Sequence, residues 1–243
     1  MRPGALTVLR IENFGVFGSL ALPGPLYANA SIEASDINET KLVSKTIISQ
    51  SLDIGIVGLA TFLVQKFSIL IAAAFLSKTE HAQYSLTITI IYVAFGLSST
   101  YTNLHIHSLC EAYYKNKESF RIMLKPLYLS ANTLFLILLL PIFIINFFSI
   151  EVFTSKLLSL NLFFFLSFVL ILELNHSISS TIITTMNEIP FRNSAIISSI
   201  SIVCLQFLTI EFFGVYGLIF SIFIVNLIYN NWRWPLYVYQ KTT

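Results

Sequence analysis

The chain has 243 residues, of which 56% are hydrophobic and 11% charged, with a formal net charge of +2 and a mean hydropathy of +0.78. That much apolar surface exceeds what one water-soluble core of this length hides, and the charge is too small to attract a nucleic acid. An integral membrane protein built of α-helices is the class that remains, since a helix needs about 20 apolar residues to cross about 30 Å of hydrocarbon.

In chain order, residues 1–50 stand apart. They carry Pro3, Pro23 and Pro25, then a polar stretch with Glu33, Asp36, Glu39, Lys41 and Lys45. The apolar segment 14–26, with Arg2 and Arg10 ahead and Ala28-Asn29-Ala30 behind, imitates a secretory signal peptide. Glu12 and the prolines argue against that, leaving a poorly ordered cytoplasmic arm or the remnant of a further span. Residues 51–238 are expected to form a six-helix transmembrane domain, with spans at about 52–76, 86–110, 127–148, 160–184, 194–211 and 215–234. Pro141 is expected to kink the third. The last two spans are joined only by Glu211-Phe212-Phe213-Gly214 and must form a tight antiparallel hairpin. Trp232-Arg233-Trp234-Pro235 reads as an interfacial anchor of aromatic rings beside a cation.

Lysine and arginine give the orientation. If successive loops alternate sides, the side holding both termini carries eleven of them, and the opposite side carries only Lys78 and Lys156. Both termini are therefore expected in the cytoplasm.

Charges inside spans are costly, roughly 2.5–3.5 kcal/mol at mid-bilayer, and mark candidate sites. Lys66 and Glu173 each lie near the middle of a run. Either they line a cavity for an anionic headgroup, or they form a structural ion pair between packed helices. Gln65 and Asn175 widen the polar patch under both readings. Ser99, Asn103, His107 and Glu111 recur every four residues and share one stripe, in which Asn103 and His107 are deep enough to line a pathway. Interhelical hydrogen bonding is the plainer role for the histidines. Glu173 and His176 share a face of the fourth span at a spacing that suits a proton or zinc, but no third ligand follows, so no metal is expected. Cys110 and Cys204 are far apart and read as small packing residues. The basic loop at 115–125 is most simply a topology signal, with headgroup recognition as a second reading. With no Walker motif, paired-carboxylate spacing or nucleophile elbow, neither enzymatic activity nor a cofactor is expected.

Three stretches carry a family resemblance. One runs Thr185-Met186-Asn187-Glu188-Ile189-Pro190-Phe191-Arg192-Asn193, then a serine-rich span, then Gly214-Val215-Tyr216-Gly217-Leu218-Ile219. The others are Leu76-Ser77-Lys78 through Leu86, and Ala112-Tyr113-Tyr114 through Phe120. Over roughly residues 48–240 the chain resembles the carboxyl-terminal six-helix lobe of the O-antigen type polysaccharide flippases, within the multidrug/oligosaccharidyl-lipid/polysaccharide exporter superfamily.

The resemblance implies one lobe of a two-lobe transporter in a bacterial inner membrane, whose cargo is a lipid-linked oligosaccharide for surface polysaccharide. Its partners would be membrane lipids and either a second six-helix lobe or another copy of itself, as a truncated or half-size member. Two alternatives stand beside it: a cation-coupled multidrug exporter of the same superfamily, and a non-transporting scaffold or degenerate fragment.

Overall fold

The computed structural model describes residues 37–148, 154–186, 188–229 and 232–242, and within these the side chains of 37–47, 49 and 50 are left aside. The expectations for residues 1–36, including the signal-like segment, lie outside the described residues. Among the described residues these helices follow in order: α1 Ile37–Phe75, α2 Lys78–Leu104, α3 Ile106–Lys115, α4 Lys117–Phe147, α5 Leu160–Thr185, α6 Arg192–Phe213, α7 Val215–Tyr229 and α8 Arg233–Thr242. Among the described residues there is no strand.

Six stretches are long and apolar enough to cross a membrane: Ser51–Phe75, Lys78–Lys115, Lys117–Phe147, Leu160–Thr185, Arg192–Phe213 and Val215–Thr242. Their outer faces are covered by large apolar side chains such as Leu59, Leu70, Leu136, Ile200, Leu208 and Phe220. Water would charge heavily for such a surface; lipid does not.

Helix limits differ from the hydropathy limits because polar caps, not the ends of apolar runs, start the helices. Ser77 accepts from the Glu80 backbone N–H (3.3 Å) and the Glu80 carboxylate accepts from the Ser77 N–H (3.1 Å), so α2 begins well before its apolar run. Asn116 Oδ1 accepts from the N–H groups of Glu118 (2.9 Å) and Ser119 (3.3 Å), placing Arg121, Lys125 and Pro126 inside α4. The basic 115–125 segment is thus a one-residue corner followed by helix. At the other end, α1 reaches back to Ile37, inside the stretch expected to be an arm, and neither proline nor glycine interrupts residues 37–54. The helix α4 runs through Pro141 to Phe147. A break at His105 divides the second apolar stretch into α2 and α3, and its N–H turns to the Thr102 carbonyl at 3.0 Å.

Helices α2 and α5 occupy the centre. Around α5 pack α2, α3, α4, α7 and α8, and α1 closes the other side against α2 and α6. The link into α5 is held from below and above: Leu158 N–H donates to Thr87 Oγ1 (3.0 Å) and its carbonyl accepts from Asn146 Nδ2 (3.0 Å). The α6–α7 hairpin turns on Gly214 alone, at φ 54°, which favours glycine.

Polar side chains tie this hairpin to α1. Gln206 is wholly buried; its Nε2 donates to Ser68 Oγ (2.8 Å) and to the Leu218 carbonyl (3.3 Å). Interhelical hydrogen bonds in membranes contribute on the order of 1 kcal/mol. Gln206→Ala is therefore expected to lower stability by about 1–2 kcal/mol, with the Ser68 hydroxyl left to the Val64 carbonyl of its own helix. Thermal unfolding in detergent checks this, and an unchanged midpoint would refute it.

Candidate functional site

The helix α5 carries two polar faces. Towards α4 most of the polar groups pair with one another, and Asn132 Oδ1 is the buried atom there that finds no partner. Asn175 Oδ1 accepts from Asn132 Nδ2 (2.8 Å), the Tyr128 and Ser179 hydroxyls pair at 2.6 Å, and Ser179 Oγ donates back to the Asn175 carbonyl (2.7 Å). This ladder locks two apolar helices in register, which is a structural task.

Around the helix from that ladder sit Glu173 and His176, three residues apart on one face. Here the groups are not satisfied. Glu173 Oε2 and His176 Nδ1 are sealed from solvent and have no hydrogen-bond partner, and the Tyr84 and Tyr92 hydroxyls of α2 share that condition. Tyr92 lies within electrostatic reach of Glu173. Aromatic rings cover the imidazole: Phe191 at 6.4 Å and Trp234 at 6.5 Å between centroids, with those two rings 5.8 Å apart. A carboxylate buried without a partner is expensive in hydrocarbon. Glu173 thus calls for a proton, a cation or water, and the neighbouring imidazole and the Tyr92 phenol are groups able to pass or share a proton.

The sequence-stretch candidates fall in three places. Glu173 and His176 lie half-buried together on one face of α5. Lys66 is exposed on the outside of α1, with Gln65 half-buried beside it, and no ion pair joins Lys66 to Glu173. The two charges do not share one chamber, because the packed stripe of α1 lies opposite Lys66. Asn103 is half-buried near the end of α2, while His107 is exposed on α3, beyond the His105 break that interrupts their common stripe. Neither is hydrogen-bonded to Glu173 or His176. Glu111 pairs with Lys115 at 2.7 Å at the exposed end of α3. Both cysteines are free thiols, Cys204 on an exposed face. Among the described residues no group of three His, Cys, Asp or Glu side chains could hold a metal ion.

Residues beyond these candidates complete the site. Trp234 is only 2% exposed and closes the polar face, whereas its neighbour Trp232 is exposed. The aromatic segment is thus half anchor and half core. Its helix α8 is fastened by Glu188, whose carboxylate accepts from the Tyr237 hydroxyl and from Lys241 Nζ, the latter at 2.9 Å. The Lys241 ammonium and then the Tyr237 hydroxyl hold the Glu188 carboxyl below its ordinary value of 4.5. A depressed carboxylate stabilises the fold above its unfolded pKa, and that contribution disappears as pH falls through the folded value. The fastening is therefore expected to be constant at neutral pH and to fail only below about 4.5. Trp fluorescence against pH reads it, and Lys241→Ala should move the acid transition upward; an unmoved transition would dismiss the contact. Solvent exposure of both partners keeps the effect small.

The arrangement defines an all-helical protein with six candidate membrane spans among the described residues, built round a central helix on which Glu173 and His176 each keep one sealed atom without a hydrogen-bond partner. Comparison with protein-family models, with curated proteins and with solved structures finds nothing that matches this chain.

Proposed function

We propose that this chain is a transport lobe in a bacterial inner membrane, with both termini cytoplasmic, that moves lipid-linked oligosaccharide across the bilayer for O-antigen or a similar surface polysaccharide. The observation that supports it is the Glu173–His176 pair: two polar side chains on the central helix, half-buried, each with one atom sealed from solvent and without a hydrogen-bond partner, among six apolar stretches. A fold that only needed to sit in lipid would lose nothing by placing leucine there. Such groups are kept where a pathway or a proton relay uses them. The cargo follows from the likeness to the flippases. In that reading the lipid tail stays in the bilayer while side chains stand in for water around the sugar-phosphate headgroup, and a second six-helix lobe, or a second copy, supplies the facing wall.

Complementation tests it. A strain lacking its own flippase should regain surface glycan when given this chain, alone or joined to a first lobe, and Glu173→Gln should cut that glycan at least tenfold at equal protein level. Drug sensitivity changing while glycan stays absent would move the assignment to a drug exporter; no effect on either would end the transport reading.

A further inference from the structure

Lys66 sits where lipid alone cannot accommodate it. Asp53 of α1, ion-paired with Arg192 at 2.8 Å, marks one polar end of the apolar stretch Ser51–Phe75, and the Ser77 cap marks the other. Lys66 is about 20 Å of helix from the first and about 16 Å from the second. Neither end is within reach of a four-carbon lysine stem. The residues that α1 buries against α2 and α6 include Ala60, Val64, Ser68, Ile71 and Ala72, and Lys66 lies on the opposite side of the helix. There it shares a face with the exposed Leu59 and Leu70 and with Gly55, where an added Cβ would meet nothing within 4 Å. A small residue on an outward face leaves room for another helix to come close.

We infer that this outward face of α1 is a docking surface for a membrane-spanning segment of a different polypeptide that carries an aspartate or glutamate at mid-depth, paired with Lys66. Charge complementarity names the partner's chemistry, because an ammonium in hydrocarbon needs an opposite charge there. A second copy of this chain does not supply it. Among the described span residues Glu173 is the acidic group at mid-depth, and it is half-buried on the central helix, packed round by five others, with Oε2 sealed from solvent. The inference needs the membrane placement of α1 and not the identity of any cargo.

Carbodiimide coupling tests it in native membranes containing the full chain. Dicyclohexylcarbodiimide enters the bilayer and takes up a carboxyl group as an O-acylisourea. The Lys66 amine then displaces dicyclohexylurea, so that the acyl C–O bond breaks and an amide forms. The expected result is one cross-linked species whose Lys66 peptide is joined to an acidic residue in an apolar stretch of another polypeptide. The species falls to background in Lys66→Arg, which keeps the charge but not the reactive amine. Four outcomes would overturn the inference: a link to a second copy, a link to an anionic lipid, modification of Lys66 by a water-borne amine reagent, or no Lys66 product. The readout does not depend on glycan, so a lost glycan phenotype with the link intact fails only the transport reading.

Discussion

Gly217→Ala should open the last hairpin and lower the stability of the whole chain by about 1–3 kcal/mol, the usual cost of forcing atoms into a filled site. A Cβ built on Gly217 would lie 2.6 Å from the Thr209 carbonyl oxygen and 2.8 Å from its carbon. Both are backbone atoms, so no rotamer change relieves the clash, and α6 and α7 must separate. That separation would stretch the bond from Thr209 Oγ1 to the Gly217 carbonyl (3.0 Å) and the contact between the Thr209 and Ser221 hydroxyls (2.9 Å). It would then reach Gln206, which bonds Leu218 one residue on. Because Gln206 also holds Ser68, the loosening should extend to α1. Gly96→Ala is the control. It lies within α2, where an added Cβ meets nothing within 4 Å, and the exchange should be neutral or gain roughly 0.5–1 kcal/mol from helix propensity. Unfolding of both variants in one detergent decides the matter. Equal midpoints would show that the hairpin is looser than its atoms imply.

Hydropathy made the six spans legible, because hydrocarbon leaves few alternatives to a run of about 20 apolar residues. The tight turn at Gly214 was legible as well, from the few residues between two runs. The limits of the helices were harder to read, and for one reason: a helix continues through polar residues until something stops it. The capping residues Ser77 and Asn116 were visible in the sequence, yet hydropathy gives them no weight. Rotation about each helix axis was the part that hydropathy could not supply. In a water-soluble helix a single apolar stripe marks the packed face, but in these helices apolar residues surround the axis and no stripe is distinguished. The depth of Lys66 and Glu173 could therefore be read from their positions in the runs, and the side each faces could not. One points out from α1 and the other lies within the bundle, although both are single charges at mid-run. The covering residues Trp234 and Tyr92 were missed for the same reason, since each is distant in sequence from the group it covers. A buried aromatic beside a cation looks, in sequence, like an interfacial anchor.

Glu173→Leu should separate stability from function. If the carboxylate is kept for transport, it is a burden on the fold, because Oε2 is sealed from solvent and nothing donates to it. Removing an unsatisfied buried polar group returns its desolvation penalty, about 1–3 kcal/mol. The leucine variant should therefore unfold at a higher temperature while surface glycan in the complemented strain falls at least tenfold. Glu173→Gln should match the wild type in stability to within about 1 kcal/mol, since it keeps the shape and a polar head. It should lose glycan as the leucine variant does, because an amide cannot take up and release a proton as a carboxyl group can. His176→Leu extends the argument to the second sealed atom. Its ring already packs against Phe191 and Trp234, so an apolar replacement keeps much of that contact. The opposite pattern, in which the leucine variant is less stable and glycan falls only in proportion to protein lost, would make Glu173 a structural residue. Stability gained at the expense of activity is what distinguishes a group retained for its chemistry from one retained for packing.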